Sequence, residues 1–255
     1  MKIIGVIPSR YASGRFPGKP IADICGKPMV WWIYQQLLKV PELSEVYVAT
    51  DDERIANVCK DLGLNYLMTN NSHKTHIERL WEVSEKIQAD FYININGDEP
   101  LITHEVIRKV LPGADVDSVD FYVSNLMTEV KNPVEIADTS KIKIAVDSNS
   151  FGMYMGRYPI PFPKGRPDVI YNKFVGVQCF TKAALDFSMN TARGYIESCE
   201  DIDEYRFLEN GKKIKFIKVE SDNVSVDTPK DLEKVRDIIA KKDKGGLELW
   251  QKQKF

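Results

Sequence analysis

Short apolar runs alternate along the chain with stretches whose apolar residues recur at helical spacing. Residues 2–7 are almost continuously apolar, as a strand buried on both faces requires. Residues 29–40 carry Trp31, Trp32, Ile33, Leu37 and Leu38 in a helical pattern, and 45–50 read as a second strand. A helix is predicted over 52–62, with Asp51 or Asp52 as its N-cap and Gly63 as its stop. A short strand over 64–68 follows, then a helix over 76–88 with Leu80, Val83 and Ile87 on one face. The run 91–95 ends in Asn96-Gly97-Asp98-Glu99-Pro100, and 103–111 read as a helix with Thr103 as its N-cap. This alternation predicts βαβ units and a mostly parallel sheet.

The second half changes character. Residues 141–146 and 152–154 alternate like antiparallel strands, and 174–180 form another strand. Helices are predicted over 181–189 and 202–209, with Gly211 ending the latter. Residues 213–218 alternate again, and Thr228-Pro229 opens a helix running to 241. The pattern predicts an α/β, Rossmann-like chain: a mixed, mostly parallel sheet flanked by helices, in one domain over 1–255, with a β-rich insertion at about 130–180. The charged tail 242–255, with Trp250 and Phe255, reads as a frayed end or a docked contact.

Composition narrows the classes. The 255 residues include 35 Lys plus Arg and 37 Asp plus Glu, for a formal charge of −2, which argues against a nucleic-acid coat or a polybasic membrane binder. A local basic pocket stays open. With 43% apolar and 28% charged residues, disordered and collagen-like classes fall away. No apolar run approaches the roughly 18–20 residues that span a bilayer. The N-terminal apolar stretch is too short for a signal peptide, and the cytoplasm is the expected location. Cys25, Cys59, Cys179 and Cys199 form no C-x-x-C pair, so neither a zinc site nor a disulfide framework is indicated. His73 and His76 lie three apart without an evident third ligand and read as solvated surface residues.

Three motifs carry chemistry. The run from Pro8 to Pro20 follows the first strand directly, where open α/β sheets bind ligands. Within it Arg10, Arg15 and Lys19 supply three cations, and Gly14 and Gly18 let backbone approach a ligand. That density suits a triphosphate, since guanidinium groups fork onto phosphate oxygens and Lys acts as a compact charge. The run fits neither the Walker A nor the dinucleotide pattern, and the plainer reading is a solvated basic loop. Asp98, at the end of a buried strand, is either a hard-cation ligand or a turn residue satisfying its own backbone. Asp227, between a strand and the Thr228-Pro229 helix start, is either a second ligand or a helix-capping residue. Sequence spacing does not say whether Asp98 and Asp227 meet.

Together these runs resemble the CMP-Kdo synthetases, the 3-deoxy-manno-octulosonate cytidylyltransferases. The likeness includes the Pro8–Pro20 loop, Gly97-Asp98-Glu99-Pro100, Glu78-Arg79, Gly156-Arg157-Tyr158-Pro159 and Val226-Asp227-Thr228-Pro229, and spans residues 3 to about 236. The resemblance implies a nucleotidyltransferase fold, a homodimer built on the β-rich insertion, CTP as donor, a sugar acid as acceptor, and Mg²⁺ as cofactor held by Asp98 and Asp227. It implies that Arg10, Ser13, Arg15, Lys19 and Arg79 bind CTP, that Lys19, Asp98 and Asp227 are catalytic, and that Arg157 lies at the sugar pocket. An acceptor hydroxyl would attack the α-phosphorus and pyrophosphate would leave, with catalysis by positioning and charge neutralisation. No separate general base stands out. No nucleic-acid or membrane partner is implied.

Departures from the family pattern cluster where the acceptor is read. Asn96 stands for the usual Gln, Thr75-His76-Ile77 for Ser-Gly-Thr, Phe174 for a sugar-facing His, and Asp203-Glu204 for Glu-Gln. They fit Kdo with divergence, or a different acceptor such as an amino-substituted sugar acid, whose ammonium would suit Asp203 or Glu204. A non-catalytic nucleotide binder is disfavoured, because Arg10, Arg15, Lys19, Asp98 and Asp227 are all present.

Overall fold

The computed structural model describes residues 1–12, 14–113, 121–165, 168–221 and 224–252. The first strand, β1 (Ile3–Ser9), lies near the middle of the sheet. Its side chains alternate between two cores: Ile3 and Ile7 face one layer of helices, Ile4 and Val6 the other. A strand buried on both faces has no polar side, which is why it reads as one apolar run. At Gly5 an added Cβ would sit 3.0 Å from Leu43 and 3.1 Å from Leu37, so the chain beyond α1 packs directly on the strand.

After β1 the chain makes a small hairpin, β2 (Asp23–Ile24) and β3 (Lys27–Pro28), and enters α1 (Met29–Leu37). Next come β4 (Glu45–Thr50), α2 (Glu53–Asp61), β5 (Tyr66–Met68), α3 (His76–Lys86), β6 (Phe91–Ile95) and the short α4 (His104–Ile107). Asp52 caps α2 and Thr75 caps α3, each accepting a backbone N–H. Thr103 stands at the N-cap of α4 without making a cap bond, and the expected helix breaks into a 3₁₀ turn at Arg108–Val110.

The second half supplies β7 (Val123–Glu129), α5 (Pro133–Ala137), β8 (Lys143–Val146), β9 (Gly152–Gly156) and β10 (Asn172–Thr181). It continues through α6 (Lys182–Asn190), α7 (Tyr195–Glu200), α8 (Tyr205–Leu208), β11 (Lys215–Lys218) and α9 (Pro229–Lys252). The sheet order is β11-β7-β10-β6-β1-β4-β5, with β8 pairing the start of β10 and β9 pairing β8. β10 is antiparallel to both β6 and β7, whereas β1, β4, β5 and β6 run parallel, as do β7 and β11. The sheet is therefore mixed and mostly parallel, as expected. Within the β-rich stretch, β10 runs into the central sheet and only β8 and β9 extend beyond it.

β7 and α7 are not legible in the sequence. β7 buries Ser124, Asn125 and Thr128, so it lacks a clean apolar signature. Two of them find partners elsewhere in the fold: the Ser124 hydroxyl donates to the Val110 carbonyl at 2.8 Å and the Asn125 amide nitrogen to the Val175 carbonyl at 3.2 Å, while Asn125 Oδ1 is buried without a partner among the described residues. α9 docks through Leu232, Val235 and Ile239, a helical stripe that closes a third core with Ile24 and Met29 under the first loop. Its backbone continues as helix through most of the charged tail. No helix among the described residues is long and apolar enough to cross a membrane.

Candidate active site

A cavity of about 380 Å³ opens at the carboxyl ends of β1 and β6, lined by Arg10, Arg15, Lys19, Arg79, Asp98 and Asp227 among others. The loop after β1 is drawn tight by Gly18, whose φ of +71° suits glycine and whose N–H donates to the Tyr11 carbonyl at 2.9 Å. The Arg54 guanidinium caps the Tyr11 ring from the other side. At Gly97 a Cβ would approach the Pro8 carbonyl oxygen to 3.2 Å, so the two strand ends touch with no room for a side chain.

Asp98 and Asp227, far apart in sequence, meet at Lys19. The Val226 N–H donates to the Asp98 carbonyl at 2.8 Å and ties the start of α9 to the end of β6. Lys19 Nζ donates to Asp98 Oδ2 and to the Val226 carbonyl, both at 2.9 Å, and lies 4.0 Å from Asp227 Oδ1. Arg15 pairs with Asp227 at 3.0 Å. Two carboxylates converging on one cation are hard oxygen donors of the kind a divalent metal takes when phosphate oxygens and water complete its shell. Among the described residues no group of three or more His, Cys, Asp or Glu side chains is arranged to hold a metal ion, so the chain would leave the remaining positions to the phosphates.

Other expected residues fall into distinct environments. Arg10 is exposed and donates to the Lys74 carbonyl at 3.4 Å. Arg79 is buried, holding Asp51 at 3.1 Å and the Thr69 hydroxyl, with the cavity on its remaining side. Ser13 lies outside the described residues. Asn96 and Asp203 line the same cavity. Glu204 is buried behind its wall, where it accepts a hydrogen bond from the Gln178 amide, and burial pushes its carboxyl above the usual range.

Phe174 lines a second cavity of about 410 Å³, with Lys141, Lys173 and Glu99, which meets the first at Arg15 and Asp227. Arg157 lines neither cavity. Its guanidinium donates to the main-chain carbonyls of Thr139, Glu200 and Asp201 at 3.2, 2.7 and 3.1 Å, clamping the turn that leads to Asp203.

The histidines differ from their surface reading. His73 is largely enclosed and pairs with Glu82 at 2.5 Å, and His76 stands in the cavity wall within 3.3 Å of Asp203 and 2.9 Å of Gln178. No periodic pattern or ligand spacing marks His73, and His76 stood out only within the Thr75-His76-Ile77 departure from the family pattern. Lys141, Arg193 and Gln178 were missed because no such pattern marks them either. Lys141 comes within 3.9 Å of Asp227 Oδ2, and Arg193 pairs with Asp201 at 2.6 Å on the cavity rim. Glu99, next to Asp98, is buried with one carboxylate oxygen unpaired. Burial first, then the neighbouring Asp98 charge, push its pKa up to about 7.

Comparison with known proteins bears on this geometry. A family profile described as Cytidylyltransferase matches residues 4–214. The 3-deoxy-manno-octulosonate cytidylyltransferase of Escherichia coli is 36% identical over 239 residues, covering 94% of this chain and 96% of that protein. The mitochondrial 3-deoxy-manno-octulosonate cytidylyltransferase of Arabidopsis thaliana is 36% identical over 247 residues, covering 95% of this chain and 84% of that protein. A solved structure of CMP:2-keto-3-deoxy-manno-octonic acid synthetase complexed with CTP superposes with a TM-score of 0.89 at 35% identity, covering 95% of this chain and all of the other.

Proposed function

Because the chain belongs to the 3-deoxy-manno-octulosonate cytidylyltransferase family, we propose that it transfers CMP from CTP to the anomeric 2-hydroxyl of Kdo or a close 2-keto-3-deoxy sugar acid, releasing pyrophosphate. The observation that carries the reading is the meeting of Lys19 with Asp98 and Asp227 beneath the loop that bears Arg10 and Arg15.

Arg10, Arg15 and Lys19 neutralise the triphosphate, and Ser13 belongs to the same loop. Arg79, fixed by Asp51 and Thr69, presents its charge without needing to reorganise. Asp98 and Asp227 hold Mg²⁺, since two carboxylates with phosphate oxygens make a magnesium donor set. When bound, that ion supplies charge neutralisation at the phosphates and lowers the pKa of the attacking hydroxyl. Lys19 keeps the two carboxylates oriented toward the same point, and Asn96 and Asp203 orient the acceptor from the cavity wall. Phe174, in the adjoining cavity, bounds the space open to the acceptor.

An amino-substituted acceptor is the second reading that Asp203 and Glu204 invite. The partners of these carboxylates favour the hydroxyl-bearing class instead. Asp203 has His76, Glu204 has Gln178 and Asp201 has Arg193, so an incoming ammonium would compete with resident donors. The exposed Met153, Tyr158, Phe162 and Ile170 on the β-rich stretch support a homodimer through that face. We assign the protein to the cytoplasm.

Pyrophosphate release with CTP, Mg²⁺ and a panel of sugar acids tests the reaction, with Kdo expected among the best acceptors. Release with UTP or GTP in preference to CTP, or none with any sugar acid, would overturn it.

A further inference from the structure

His76 opens α3 and faces the cavity, and polar side chains from three other segments meet around it. Nδ1 lies 3.3 Å from Asp203 Oδ2, and Nε2 lies 2.9 Å from Gln178 Oε1 and 3.7 Å from Glu204 Oε1. The Gln178 amide has a fixed sense, because its Nε2 donates to Glu204 and its Oε1 accepts from the Asn94 amide at 2.8 Å. Asn94 is oriented in turn by donating to Asn96 Oδ1 at 3.0 Å. An oxygen that already accepts from Asn94 offers the imidazole only an acceptor, so Nε2 must donate. Nδ1 faces the Asp203 carboxylate at ion-pair distance, an arrangement that a protonated Nδ1 satisfies. An imidazole that donates from both nitrogens is an imidazolium.

We propose that His76, held as an imidazolium, is a positioning residue for the acceptor. It fixes the Asp203 carboxylate and, through Gln178, the Asn94–Asn96 amides in the wall against which a polyhydroxy sugar acid is read. The proposal rests on the sugar-acid reading above. A carboxylate held on one side by a charged donor has its remaining lone pairs directed to the cavity, where it accepts from hydroxyls and leaves an analogue lacking them with an unpaired buried group. Asn96 and Asp203 are both wall residues, and His76 joins Asp203 to the Gln178 amide that holds Asn94, so losing it frees the Asp203 carboxylate and removes one of the bonds that fix Gln178.

The charges facing His76 are Asp203 and Glu204, with Arg193 and Arg206 acting on Asp203 from beyond. Burial opposes the imidazolium, but the Asp203 hydrogen bond and charge, then the Glu204 charge, raise the His76 pKa above its usual value. Burial likewise pushes Asp203 up, yet the His76 hydrogen bond and charge, with the two arginines, bring it below the usual carboxylate range. The cation is therefore favoured relative to a free imidazole and disappears as pH rises through its raised pKa.

The test uses the full chain with CTP, Mg²⁺ and Kdo. In His76→Gln the KM for Kdo should rise about tenfold or more while the KM for CTP stays within about twofold. Asp203→Asn should reproduce the split. Wild-type kcat/KM for Kdo should fall on the alkaline side, and His76→Gln should lack that limb. Independently of any acceptor, NMR titration of the imidazole signals, assigned with His76→Gln, should place His76 above the ordinary value of about 6.5. Equal movement of both KM values, an alkaline limb that survives the substitution, or a His76 that titrates at or below that ordinary value would overturn the proposal. A wild-type protein that binds CTP but releases no pyrophosphate with Kdo overturns the proposed reaction instead.

Discussion

Replacing Asp98 by Asn removes one of the two charges that meet at Lys19 while keeping the shape of the side chain. The structure separates its cost to stability from its cost to activity. Lys19 would still donate to the Val226 carbonyl at 2.9 Å and keep Asp227 at 4.0 Å, so the ammonium is not orphaned. The Lys19 and Asp98 side chains are 15% and 25% exposed, and a part-solvated pair with a remaining partner is worth about 1 kcal/mol or less. The metal site, by contrast, loses half of its carboxylate donors. Loss of a preorganised charge at a reacting phosphate lowers kcat by about 10²–10³-fold, or about 3–4 kcal/mol of transition-state stabilisation. Pyrophosphate release at saturating CTP and Mg²⁺ measures the first quantity and urea denaturation the second. A rate within about tenfold of wild type would refute the metal assignment. An unfolding free energy lowered by about 3 kcal/mol or more would show that Asp98 is a structural group.

Glu197 and Arg206 form a buried pair in which the carboxylate is fully enclosed, so Glu197→Gln should lower the unfolding free energy in urea by about 3–5 kcal/mol with an unchanged m-value. The double change to Met at both positions should recover most of that loss. Phe174→His restores the family residue in the second cavity and should raise kcat/KM for Kdo relative to other sugar acids by about tenfold, read from an acceptor panel. Burial raises the Glu82 carboxyl, but Lys86, the Asn70 N–H and His73 outweigh it and bring its pKa down to about 2. Its stabilisation, about 3 kcal/mol, is present above the unfolded carboxylate value near 4.3 and is lost as pH falls toward about 2. Urea midpoints measured from neutral to acid pH should show that fall in wild type and a shallower one in Glu82→Gln.

The central strands were legible because each is buried on both faces: β1 opens on a dense apolar run and β6 is apolar but for Asn94, patterns that a half-exposed strand does not carry. The first loop was legible because three cations and two glycines directly after a strand suit phosphate chemistry. β7 was not, since its polar residues look like those of a loop until Ser124 and Asn125 are seen donating to the Val110 and Val175 carbonyls. Arg157 was expected at the sugar pocket, yet its donors face main-chain carbonyls, an arrangement that side-chain identity does not encode.

Local periodicity, and motifs whose residues are neighbours in the chain, made the fold class, the family and the cation-rich loop after β1 legible in the sequence. The tertiary structure alone shows that Asp98 and Asp227 share Lys19, that the acidic residues of the cavity wall already have partners, and that His76 stands between Asp203 and Gln178. Each of these is a matter of a few ångströms between segments distant in the chain. Whether a buried polar group is free, paired or protonated depends on those distances, and spacing along the sequence does not contain them.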